Sequence, residues 1–226
     1  YKLTDDIDFN MREVWEFRVW DSPPRKNGNG TGLEQRFHGT DFSEIVFDQF
    51  NLTMRNFADM PLTFVAGRQD IMFGEGWLVM DGTPLDSART QYFDALRFTY
   101  EIPDRQATTL DLIYIENRGD EGAYLQPIND RKRYAVDADE RGIITYLTDK
   151  STPNMNVEGY FIFKNDNPLD VLTGDNPRGP SGYDRFPAFW SRKARIYTFG
   201  GALSGAFFGS EHWKYRTEGA IQTGKK

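Results

Sequence analysis

The lengths of the connections between strand-like segments constrain this chain more than any single motif does. Nine runs rich in β-branched and aromatic residues read as strands, at 8–20, 45–56, 62–73, 92–102, 108–117, 140–148, 155–164, 195–208 and 213–222. The stretches between them alternate without exception. They are long at 21–44, 74–91, 118–139 and 165–194, and short at 57–61, 103–107, 149–154 and 209–212. An antiparallel meander gives this pattern when all long loops lie at one end and all tight turns at the other. The Greek-key crossings of a soluble β-sandwich would break it. The expected fold is all-β, an antiparallel up-and-down transmembrane β-barrel with the long loops on the cell exterior.

Residues within the strands point the same way, because successive side chains project to opposite faces. Phe9, Met11, Trp15, Phe17 and Val19 share one face of the first strand, and Asn10, Arg12, Glu16 and Arg18 the other. Leu96, Phe98 and Tyr100 lie opposite Arg97, Thr99 and Glu101, and Trp213, Tyr215 and Ile221 lie opposite Lys214, Arg216, Glu218 and Gln222. Leu110, Leu112 and Tyr114 oppose Asp111 and Asn117, although Ile113 and Ile115 interrupt that polar face. Two strands resist the pattern: Phe64 shares a face with Arg68 and Asp70, and 143–146 shows no clear face. The polar faces together carry Arg12, Arg18, Arg55, Arg68, Arg97, Lys164, Lys214 and Arg216 against Glu16, Asp70, Glu101, Asp111, Glu158 and Glu218. The wall they predict is mixed in sign. Aromatics near strand ends, Trp20, Phe73, Trp77, Tyr92, Phe93, Tyr197 and Trp213, are expected to form girdles at the two lipid–water interfaces.

Composition fits a barrel with a wet interior. Apolar residues make up 38% of the chain and aromatics 15%, with a mean hydropathy of −0.64. The apolar share is below the roughly 45–50% of ordinary soluble domains, yet the aromatics argue against disorder. The net charge of −7 and the lack of basic runs exclude nucleic acid as a partner. No apolar run is long enough for a membrane-spanning helix, which leaves barrel strands open.

Catalytic chemistry finds no foothold. His38 and His212 lie in or beside connections with no metal-ligand spacing, and there is no cysteine. Ser204 sits on a strand and not at a strand-to-helix elbow. Asp and Asn donors in 118–139 and 165–194 follow no calcium-loop pattern, so neither a metal nor a cofactor is expected. The apolar stretch Phe186-Pro187-Ala188-Phe189-Trp190 is expected to fold back into the barrel mouth or against a neighbouring loop.

Gly67-Arg68-Gln69, Gly74-Glu75-Gly76, Phe93-Asp94-Ala95-Leu96-Arg97 and Tyr100-Glu101 together resemble the core signature of alginate-export-type outer-membrane barrels. A second similarity joins Thr198-Phe199-Gly200-Gly201-Ala202-Leu203-Ser204-Gly205 to the stretch from His212 to Gly224. The resemblance implies a barrel of about eighteen strands, of which residues 1–226 form a single N-terminal to middle portion in contact with outer-membrane lipid. It also implies a lumen lined by arginines that passes an anionic polysaccharide or small anionic solutes. On that carry-over Arg68 and Arg97 are lumen arginines on neighbouring strands, each with a carboxylate on its own side, Asp70 and Glu101, and Gly74-Glu75-Gly76 opens an exterior loop. Arg12, Arg18, Arg55, Lys214, Arg216 and Glu218 complete the expected lumen set. Two rivals are a structural or adhesive barrel acting through its long loops, and a soluble carbohydrate-binding β-sandwich.

Overall fold

The computed structural model describes residues 1–21, 25–26, 33–34, 38–80, 92–105, 107–118, 125, 138–168, 193–207 and 212–225, with backbone alone at 16–21, 25–26, 33–34, 38–44, 138 and 168. Its strands are β1 (Ile7–Asp21), β2 (Arg25–Lys26), β3 (Leu33–Glu34), β4 (His38–Met54), β5 (Leu62–Gln69), β6 (Phe93–Glu101), β7 (Thr108–Asn117), β8 (Ala138–Thr152), β9 (Met155–Pro168), β10 (Ala194–Ala206) and β11 (Lys214–Lys225). Nine of them form one sheet in the order β1-β4-β5-β6-β7-β8-β9-β10-β11, every neighbour antiparallel. The short β2 and β3 pair with each other within the connection from β1 to β4. All nine strand candidates are therefore present, in a pure meander. The sheet is open: among the described residues β1 and β11 each have a free edge.

Boundaries shift where pairing overrides composition. Residues 38–44 have loop-like chemistry, yet they extend β4 because β1 continues to pair with it as far as Asp21 opposite His38. The connection from β8 to β9 narrows to Pro153 and Asn154, and Asn154 takes φ 60, a left-handed conformation that asparagine tolerates. At the far end of β5 the strand stops at Gln69, earlier than the patterning suggests.

The segment after Gln69 decides where the core lies. Residues 70–80 turn back across the polar face of the sheet, so this part of the 74–91 stretch does not project outward as expected. Ile71 and Val79 bury themselves against Phe93, Ala95, Ile113, Ile115 and Ile144. Phe73 stacks on Tyr146 with ring centroids 4.0 Å apart, and Tyr146 on Tyr160 at 5.4 Å. Ile113 and Ile115, which interrupt the alternation of β7, are the floor under this segment. Neither Phe73 nor Phe93 is a girdle residue: the inward turn packs Phe73 against this cluster, and Phe93, the first residue of β6, is buried in it on the covered face. The polar face is thus a covered face.

The opposite face is apolar and open. Trp15, Phe50, Leu96, Leu112, Ile143, Val157, Phe199 and Ile221 lie on it, one on nearly every strand, and all are exposed. Nine strands at about 4.8 Å spacing make that face about 38 Å across from β1 to β11, far beyond the scattered apolar side chains normal on a soluble surface.

Candidate functional site

The covered face carries three groups of charged and polar side chains, each assembled by cross-strand register. The first lies on β1 and β4. A bulge falls between Arg12 and Glu13, where Asp48 and Gln49 of β4 oppose Arg12, and this brings two consecutive polar residues to the same side. Arg12 Nε donates to Asp48 Oδ1 at 2.8 Å, and its Nη2 reaches Asp70 Oδ2 at 2.9 Å. Gln49 also donates to Asp70. Asp70 is the first residue past β5, so these bonds anchor the inward-turning segment at its root.

The second group is central. Arg97 Nε donates to Asp111 Oδ1 at 2.8 Å, Thr99 donates to the same oxygen, and the Arg97 guanidinium lies 5.4 Å from the centroid of the Phe73 ring. Asp111 is buried, which requires such partners.

The third group spans β8 to β11. Arg216 grips Glu158 with both Nη atoms at 3.0 Å and Glu218 with Nη2 at 2.8 Å. Tyr146 donates to Glu158, and Tyr160 to Glu218 Oε1 at 3.1 Å. A planar guanidinium held by two carboxylates, whose spare lone pairs take phenol hydroxyls, is a satisfied network. Two glycines make room for it. Gly74 has φ +58 and sits so close to Arg216 that a Cβ would overlap Nη2; Gly200 lies opposite Tyr160, and a Cβ there would strike its ring. Between the segment and the sheet is a cleft of about 380 Å³ whose lining includes Glu75, Arg97, Lys150, Asn156, Glu158 and Arg216.

The expected lumen set divides on this geometry. Arg12, Asp70, Arg97, Arg216 and Glu218 are together on the covered face. Glu101 and Lys214 have the same register but lie exposed at the turn ends of β6 and β11. Arg55 pairs with Asp8 beside the short 57–61 turn. Arg18 stands opposite Asp41 in the β1–β4 ladder; its side chain lies outside the described residues, as do 186–190.

Arg68 is on the other face. It pairs in register with Asp94, on the side of Ala66, Leu96 and Phe98, whereas Arg97 aligns with Val65 and Ile113. Its Nε and Nη2 bind Asp94 at 2.9 and 3.1 Å, its Nη1 donates to the Phe47 carbonyl at 2.9 Å, and the Tyr92 ring lies 3.7 Å below. The carboxylates expected beside the two arginines are also replaced: Arg68 takes Asp94 and not Asp70, and Arg97 takes Asp111 and not Glu101. Same-strand neighbours two or four positions away are about 7–14 Å off along the strand, whereas cross-strand partners are adjacent. Asp48, Tyr146 and Tyr160 are the members the sequence left unmarked; the alternation of Tyr146 with Ile144 was the available signal.

No protein-family model, curated protein or solved structure matches this chain. The signature in the sequence therefore stands beside the geometry as a resemblance.

Proposed function

We propose that this chain forms part of the wall of an outer-membrane β-barrel, with the open apolar face against lipid and the covered face lining a passage for hydrophilic solutes. The observation that carries the reading is the inverted distribution of polarity: charges are covered, and aliphatic and aromatic side chains are open. On β8 the open-face apolar stretch lies between Arg141 and Asp149, eight residues or about 27 Å along the strand. A tilt of about 40° turns that into about 21 Å of height, near the roughly 25 Å apolar band of such barrels. Free edges are untenable in lipid, so β1 and β11 pair with further strands when the sheet inserts. The segment 70–80 narrows the passage, held by Asp70 at its root and by the Phe73–Tyr146 stack at its middle.

The resemblance names anionic saccharides as the solutes. Arg12, Arg97 and Arg216 all spend charge on carboxylates, so any anion preference rests first on Lys150, which has no ion-pair partner among the described residues, and then on Arg97, which also lines the cleft. Reconstitution of the full-length protein, with the strands that close the sheet, in a planar bilayer tests the reading. Steady conductance is expected, with a reversal potential that moves toward cation selectivity in Arg97→Gln and Lys150→Gln. Insertion without conductance would remove the channel and leave the structural or adhesive barrel.

A further inference from the structure

The open face ends, on the side of the long loops, in a row of polar residues that runs across seven strands. Arg68 pairs with Asp94, and beyond them Glu116, Arg141, Asn165, Arg195 and Lys225 stand in direct register from β7 to β11. The row is neutralised at one end only. Among the described residues Arg68 has Asp94 to itself, whereas one carboxylate oxygen of Glu116 is shared between Arg141 at 3.0 Å and Arg118 at 3.5 Å, which leaves Arg141 only partly neutralised. Among the described residues Arg195 donates only to the neutral Asn165, at 3.3 Å, and it faces Lys225 directly across the strand pair; neither cation has a carboxylate partner among those residues. Like charges directly opposite destabilise a sheet, so this corner is built for an anion from elsewhere.

Immediately below is a groove of about 290 Å³ in which Arg141, Asn165 and Arg195 form the upper rim and Tyr114, Phe163 and Tyr197 the floor. Phe163 and Tyr197 are in ring contact at 5.1 Å. A cationic rim over an aromatic floor matches a molecule with an anionic head and an apolar tail. Arg141 and Arg195 are two strands apart, about 10 Å at the backbone, a span two long guanidinium side chains close around a phosphate. We propose that this groove binds the phosphorylated headgroup of an outer-leaflet lipid, with its acyl chain along Tyr114, Phe163 and Tyr197. The site rests on the membrane reading above, which puts the loop end at the outer leaflet.

The test uses the full-length protein, with the strands that close the sheet, in phosphatidylcholine nanodiscs containing bisphosphorylated lipid A, with insertion read by protease protection and bound lipid counted by native mass spectrometry after detergent extraction. The parent is expected to keep lipid A, and Arg141→Gln/Arg195→Gln to keep at least about tenfold less at unchanged β-sheet circular dichroism, while Arg105→Ala at the turn end keeps as much as the parent. Equal retention by the double variant, or of dephosphorylated lipid A by the parent, would overturn the site. Release by millimolar inorganic phosphate would overturn the lipid as its ligand in favour of the free ion. Failure to insert would remove the membrane reading and the site together, whereas insertion with no retained lipid A removes the site alone.

Discussion

The two faces of the sheet part company within a single step of β7. Asp111 is 2% exposed and Leu112 49%. In a water-soluble half-buried sheet those values would be exchanged, since the apolar side packs and the charged side is solvated. Here the charges of one face are satisfied largely by one another and by the segment folded over them, and the other face, apart from Arg68 beneath the Tyr92 ring, has no cover among the described residues. The alternation of residues defines two faces equally well in either case; burial alone distinguishes them.

The largest expected blow to this contrast falls on the covered face. Arg216→Leu leaves the half-buried Glu158 and Glu218 without their cation, at a cost of roughly 3–5 kcal/mol in all, about 1.5–3 kcal/mol for each carboxylate that loses charge-assisted bonds. Urea unfolding of the reconstituted chain measures it, and adding Glu158→Gln and Glu218→Gln should recover most of the loss. A single variant as stable as the parent would mean that this face is an ordinary solvated surface.

Next comes Leu112→Arg on the open face. In a bilayer a cation near the midplane costs about 2–4 kcal/mol, whereas on a water-facing surface the change stays within about 0.5 kcal/mol. Unfolding titrations in phosphatidylcholine vesicles separate the two values, and the smaller one would move Leu112 out of lipid.

Gly74→Ala sharpens the comparison by loosening the cover alone. A side chain at φ +58 costs about 1 kcal/mol or more, and its Cβ meets Arg216. Stability should fall by about 1–2 kcal/mol while conductance rises, because the segment retreats from the passage. Unchanged conductance would detach residues 70–80 from any narrowing role.

The smallest effect belongs to neither face. Arg105 is 64% exposed and lies 3.4 Å from Asp149 at a short turn, so Arg105→Ala should cost less than about 1 kcal/mol and leave conductance as it was. A larger loss would show that the turns contribute more than the faces.

Much of the fold was legible because the backbone imposes it locally. A two-residue period separates Leu96, Phe98 and Tyr100 from Arg97, Thr99 and Glu101 wherever the strand goes, and the structure keeps that separation. Arg68 was misplaced for a related reason: Phe64 on its face signalled the apolar side, but its charge suggested the polar one. Strand-end residues escape that logic, since a row of charge at the rim of an apolar face is as stable as charge on the polar face.

The sequence by itself determined the meander, the nine strands and the existence of two chemically distinct faces, because strand period and turn chemistry depend on residues a few positions apart. Only the tertiary structure decided that residues 70–80 turn inward, that Arg68 takes Asp94 and Arg97 takes Asp111, and that Glu158 and Glu218 share Arg216. Those outcomes depend on register between strands far apart in the chain. A shift of one residue would exchange every partner, and no local pattern in the chain records which register is taken.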